Sequence, residues 1–184
     1  NNMVAAVKEP IFRPLLYANT AAYTAHAAQK DIPYVMNLTM LQMFGEFGGS
    51  GVTIGLVIAI FIFSKREDNR TIAGISVVPG LFNINETMTF GIPLVLNPIL
   101  DIPFILAPVA TLIVGYILVS TGFCPHIVLE VPWTMPPVFL GFLATGGSPM
   151  GAVSQLIVVA LSTVIYTPFL IAYEKYQAKQ AEAE

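Results

Sequence analysis

The chain has 184 residues, 55% of them hydrophobic and only 10% charged, with a formal net charge of −3. Soluble domains carry about 25% charged residues, so this composition excludes an ordinary water-covered globular surface. No basic cluster suits a nucleic acid, the single cysteine, Cys124, excludes an internal disulfide, and no metal or cofactor site is expected.

The charge is unevenly placed. Between Thr71 and Tyr173 the charged residues are Glu86, Asp101 and Glu130, all acidic. Long apolar runs without charge belong to transmembrane helices, since about 20 apolar residues cross the hydrocarbon core. The expected fold class is therefore an all-α polytopic membrane protein, with transmembrane helices and two re-entrant hairpin segments.

In chain order, residues 1–40 are mixed and moderately polar, and read as an external or interfacial segment with one short helix. The opening NNMVAAVKEP has no signal-peptide pattern and reads as the C-terminal part of a longer protein. Residues 48–63 form a short span with room to extend backwards through 40–47. Residues 102–123 form a second span, and 149–173 the clearest, with 25 uncharged residues. Two intervening apolar segments are broken. Residues 71–100 hold Pro79, Gly80, Gly91, Pro93 and Pro98; residues 131–147 hold Pro132, Pro136, Pro137 and a glycine pair. Residues 1–173 are thus expected to form a membrane domain and 174–184 a cytoplasmic tail.

Sidedness follows from the basic residues. Loop 64–70 holds Lys65, Arg66 and Arg70, and the tail holds Lys175 and Lys179, so both are placed in the cytoplasm. An even number of crossings must separate them. The two intact spans after the loop supply that number if each broken segment leaves and returns on one side. Two further complete spans would also satisfy parity. Irregular backbone at membrane depth must be buried in protein or line a cavity, so the polar residues of the first broken segment are expected to line one.

Those residues are Asn83, Asn85 and Glu86, in LFNINETMTFGIP. A carboxylate deep in a membrane costs roughly 2.5 kcal/mol or more and is functional by default. The competing reading is a carboxylate that caps a half-helix amino terminus. Two amides beside it suit a polyhydroxylated ligand better than a lone cation. Trp133, the one tryptophan, is either an interfacial belt residue or an apolar platform for a sugar ring. His26 and His126 are given no role. Lys8, Glu9 and Arg13 either pair locally or line the cavity. Residues 48–51, GGSG, lack the Lys-Ser/Thr ending of a phosphate loop. The pairs Gly51/Gly55 and Gly147/Gly151 read as close helix-packing positions.

Together VKEPIFRPLL, GGSGVTIGL, FNINETMTFGIPLVLNPILDIPFILAP and VPWTMPPVFLGFLATGG resemble the membrane IIC component, lactose/cellobiose type, of the bacterial phosphoenolpyruvate-dependent sugar phosphotransferase system. The resemblance implies a channel subunit in the bacterial cell membrane. It would translocate a β-linked disaccharide of the cellobiose, lactose or chitobiose class and present its 6-hydroxyl for phosphorylation. The donor would be a phosphocysteine on a IIB subunit or domain, so Cys124 is not that residue. Carried over, Glu86 is the catalytic carboxylate near the hydroxyl, Trp133 stacks on the sugar, and Asn83 and Asn85 are further contacts. The family's histidine motif precedes EPIFRP and is not in this sequence, so neither His26 nor His126 inherits it. The family's homodimer would form through N-terminal helices that this chain lacks, leaving the chain inactive by itself. The other open reading is an ion-coupled secondary transporter with Glu86 as its coupling site.

Overall fold

A computed structural model describes residues 2–94 and 97–181. Residues 95–96 of the first broken segment and 182–184 of the expected tail lie outside the described residues. Among those described, every regular element is a helix: α1 Asn2–Thr24, α2 Leu38–Gly45, α3 Ile54–Phe63, α4 Glu67–Leu81, α5 Glu86–Gly91, α6 Asp101–Ser120, α7 Phe139–Ala144 and α8 Pro149–Ala181.

Helices α6 and α8 are long and apolar enough to cross a membrane, with mean hydropathies of 2.4 and 2.1 over their best windows. Asp101 opens α6, where a carboxylate favours the helix dipole. Helix α8 runs on to Ala181, so most of the expected tail is a continuation of the helix.

The span expected at residues 48–63 takes a different form. Helix α3 has only 10 residues, too few to cross alone. It is set at 61° to the Leu38–Val52 segment before it. The break lies where Gly48, Gly49 and Gly51 take positive φ angles of 70°, 86° and 79°. Glycine alone adopts that backbone freely, so a run that reads as continuous apolar helix turns a corner instead. Helix α1 also departs from expectation. It is 23 residues long and passes through Pro10 and Pro14. Leu16 and Asn19 are buried on its packed side, so docking rather than composition sets its length.

Helix α3 lies along α8 in parallel. Gly55 meets Ser162 so closely that a Cβ there would overlap its hydroxyl. Farther along, Ser64 Oγ donates to Glu174, as does Asn69 Nδ2 at 2.8 Å. These bonds bring residues 64–70 and the segment after Tyr173 to one end of the bundle. The loop is shorter than expected, since α4 begins at Glu67.

Packing also reassigns the glycine pairs. Gly51 sits in the bent loop against Phe104, away from the α3 helix face. Gly151 of α8 meets Gly141 of α7, where each carbonyl oxygen lies in the space a Cβ would need.

Candidate functional site: a junction of two broken segments

The first broken segment is a helical hairpin. Helix α4 enters from the end of the bundle that holds Glu174, turns at residues 82–85, and α5 folds back so that Gly91 packs on Ile72. The second segment enters from the opposite end. Val128 and Leu129 N–H both donate to the Ala144 carbonyl, which closes its base beside the start of α8. One arm is irregular, residues 131–138, and the other is α7. The two segments meet at their tips.

Asn83 makes the junction. Its φ of 63° is a left-handed conformation that asparagine tolerates. From there its Oδ1 accepts Gly48 N–H at 2.6 Å, while its Nδ2 donates to the carbonyls of Trp133 and of Met135, the latter at 3.3 Å. Asn85 binds the same glycine loop: Nδ2 donates to Ser50 O at 2.7 Å and Thr53 Oγ1 at 3.2 Å. A Cβ on Gly49 would collide with the Asn85 side chain. Both amides are therefore engaged mainly with backbone. Among the described residues, the Asn85 Oδ1 takes part in no hydrogen bond that would close it to a ligand.

Glu86 opens α5 and is exposed on the surface of the chain. It belongs to none of the ion pairs among the described residues, which are Lys8–Glu46, Arg13–Glu9, Arg13–Glu130 and Arg66–Asp68. Trp133 is 56% exposed. The expected enclosed cavity is thus absent among the described residues: Glu86 and Trp133 are both exposed, on segments joined through Asn83. An apolar groove of about 700 Å³ lies elsewhere, between α3 and α8, lined in part by Ile58, Phe63, Val159, Thr163 and Pro168.

Two supporting residues escaped the sequence reading. Gln155 of α8 is fully buried; its Oε1 accepts Val138 N–H and Gly141 N–H, both at 2.8 Å, and its Nε2 donates to Met43 O at 3.2 Å. It holds the tip where Val138 takes a φ of 76°, a strained angle for a β-branched residue. Tyr166 donates to Gly51 O at 2.7 Å and fixes the glycine loop to α8. The signal available was an uncharged polar residue inside an apolar run, the same signal that marked Asn83.

The remaining candidates take structural places. His126 N–H donates to Gln29 Oε1 at 2.9 Å, and burial lowers its imidazole pKa, which favours the neutral ring. Burial pushes the Cys124 thiol up, leaving it unreactive. His26 is exposed in the turn after α1. Asn37, in a glycosylation-type sequence, is buried as the cap of α2 and donates to Ile127 O.

Two long apolar helices and two broken segments that meet at a polar junction define a helical membrane protein. The chain belongs to the family "Phosphotransferase system, EIIC", whose profile matches residues 4–108, more than half of its length. It is 38% identical to the lichenan permease IIC component of Bacillus subtilis (strain 168), over 97% of this chain and 39% of that protein. It is 36% identical to the cellobiose-specific EIIC component of Lactococcus lactis subsp. lactis (strain IL1403), over 98% of this chain and 40% of that protein. The fold matches the crystal structure of ChbC, the IIC component of the N,N'-diacetylchitobiose-specific phosphotransferase system, with a TM-score of 0.92 and 36% identity. That match covers 99% of this chain and 42% of ChbC. The chain spans about two fifths of the length of the relatives it matches.

Proposed function

We propose that the chain is the C-terminal, sugar-translocating part of an EIIC permease for a β-linked disaccharide of the cellobiose, lactose or chitobiose class. The supporting observation is the junction itself. A carboxylate outside the ion pairs of the described residues and a half-exposed indole stand on two hairpins whose tips are tied together through Asn83. A sugar offers the matching surfaces: C–H faces for an aromatic ring and hydroxyls for a carboxylate and an amide oxygen.

In this reading the hairpins are re-entrant, and residues 64–70 and the end of α8 face the bacterial cytoplasm. The Trp133 indole carries one sugar ring. Glu86 accepts a hydrogen bond from the 6-hydroxyl, and Asn85 Oδ1 takes a second hydroxyl. The phosphoryl donor is a phosphocysteine on a IIB subunit or domain. As the hydroxyl oxygen forms its bond to phosphorus, the S–P bond breaks and the thiolate stays on IIB. The hydroxyl proton passes to Glu86 and then to water. Such transfers depend on in-line positioning and charge placement. The rest of the permease closes the open face and supplies a dimer interface.

The test is uptake into vesicles carrying the full-length permease, with and without phosphoenolpyruvate and the soluble phosphotransferase proteins. Sugar phosphate inside, dependent on phosphoenolpyruvate, supports the reading. Free sugar accumulated under a proton gradient instead would make Glu86 an ion-coupling site and overturn it.

A further inference from the structure

Two ion pairs close a loop of contacts that passes through Asn83 and the Trp133 backbone. Lys8 of α1 donates to Glu46, and Arg13, on the same helix, donates to Glu130 Oε1 at 2.6 Å. Glu46 lies just before Gly48 in sequence, and Glu130 just before Trp133. Gly48 donates to Asn83, which donates to Trp133. The path from Lys8 therefore runs through Glu46, Gly48, Asn83, Trp133 and Glu130 and returns to α1 at Arg13. Glu9 holds the Arg13 guanidinium from its other side at 3.2 Å.

The ring is not what fastens α1 to the fold. Leu16 and Asn19 are fully buried, Asn19 Nδ2 donates to the carbonyls of Tyr34 and Ile127 at 2.7 and 3.0 Å, and Thr20 Oγ1 donates to Val128 O at 2.6 Å. These neutral bonds secure the base of the second hairpin. Arg13 acts farther along, at Glu130, with its side chain 32% and that of its partner 45% exposed. A pair so open to solvent adds little to stability. Lys8 is less exposed, at 18%, and what the two pairs share is position: each cation grips a carboxylate on a loop that Asn83 also grips.

We propose that Lys8 and Arg13 are positioning residues of the sugar site, setting the separation of the Trp133 indole and the Glu86 carboxylate by bracing the two loops that meet at Asn83. This rests on the reading of Glu86 and Trp133 as sugar contacts. Each cation is already committed to a carboxylate, so its effect on the sugar passes through the loops.

The experiment uses the full-length permease in vesicles with its phosphorylated IIB partner and cellobiose as the probe sugar. Variants are Lys8→Gln, Arg13→Gln, Arg13→Lys and the exchange pair Lys8→Glu with Glu46→Lys. Expected is a rise in sugar KM of about tenfold for each Gln variant, since small displacements of a binding group are costly. The unfolding temperature in detergent should stay near the parent value. Arg13→Lys should give a smaller rise, and the exchange pair should recover most of the KM that Lys8→Gln loses. An unchanged KM in both Gln variants, or a KM that rises only in step with a lowered unfolding temperature, overturns the proposal. Glu86→Gln and Trp133→Ala run alongside. If those two lose transport while the Lys8 and Arg13 variants keep it, the positioning role alone is wrong. If all four behave as the parent, the sugar site itself is misplaced.

Discussion

Asn83 joins Trp133 across 50 residues of sequence: its side-chain amide donates to the tryptophan's backbone carbonyl, while its oxygen receives the N–H of Gly48. One side chain thus holds the turn of the first hairpin, the tip of the second and the glycine loop in a single arrangement. The sequence reading made Asn83 a sugar contact; the geometry gives it the prior task of tying the turn of the first hairpin to the tip of the second and to the glycine loop.

Asn83→Ala should therefore act through stability and order. It removes three hydrogen bonds to backbone, each contributing about 1 kcal/mol net. It also leaves alanine at a φ of 63°, without the short polar side chain that lets asparagine tolerate that backbone. Asn83→Gly loses the same bonds without that strain and should be the milder variant. Thermal unfolding in detergent, compared between the two, checks the order.

Glu86→Gln should leave folding intact, because the carboxylate is exposed and outside the ion pairs of the described residues. Its unfolding free energy should shift by no more than about 0.5 kcal/mol. Phosphorylation of the sugar should fall by about 10²–10⁴-fold, the typical contribution of a positioned base. Rates of sugar-phosphate formation in vesicles decide this, and a normal rate would remove Glu86 from the mechanism.

Trp133→Ala should weaken sugar binding by about tenfold, equivalent to ~1.4 kcal/mol, with little loss of stability because the residue is 56% exposed. Trp133→Phe should recover part of the affinity through its remaining aromatic face. Equilibrium binding of radiolabelled sugar to the purified permease measures both. Equal affinity in all three proteins would return Trp133 to the role of an interfacial anchor.

Gly151→Ala and Gly74→Ala should have opposite signs. At Gly151 a Cβ would overlap the Gly141 carbonyl, so α7 must move off α8, at a cost of about 1–3 kcal/mol. At Gly74, inside α4, the added Cβ meets nothing within 4 Å beyond its own turn of helix backbone. Alanine there should stabilise by about 0.5–1 kcal/mol through helix propensity. Unfolding temperatures of the two variants test the packing of the second hairpin.

The two intact spans and the broken segments were legible because each has a one-dimensional signature: long uncharged runs for α6 and α8, and clustered Pro and Gly with isolated polar residues for the others. The bend between α2 and α3 was not. GGSG is also a plausible helix-packing sequence, and only Asn83, Asn85 and Tyr166, which bind that loop from distant segments, select the turned backbone. Helix α1 was underestimated for a related reason. Its polar residues spend their hydrogen bonds on Ile127, Val128, Glu46 and Glu130, partners that local composition does not reveal.

The sequence by itself determined that this is a helical membrane chain and which polar groups stand inside its apolar stretches. Those properties depend on the energy of placing a charge or a bare peptide group in hydrocarbon, and that energy is counted residue by residue. Only the tertiary structure decided that the two hairpins enter from opposite ends and meet through Asn83, that Lys8 and Arg13 pair with Glu46 and Glu130, and that Gln155 holds the Val138 tip. Such pairings depend on distances between segments far apart in the chain, and a side chain's partner, unlike its hydropathy, is fixed only when the fold brings the two together.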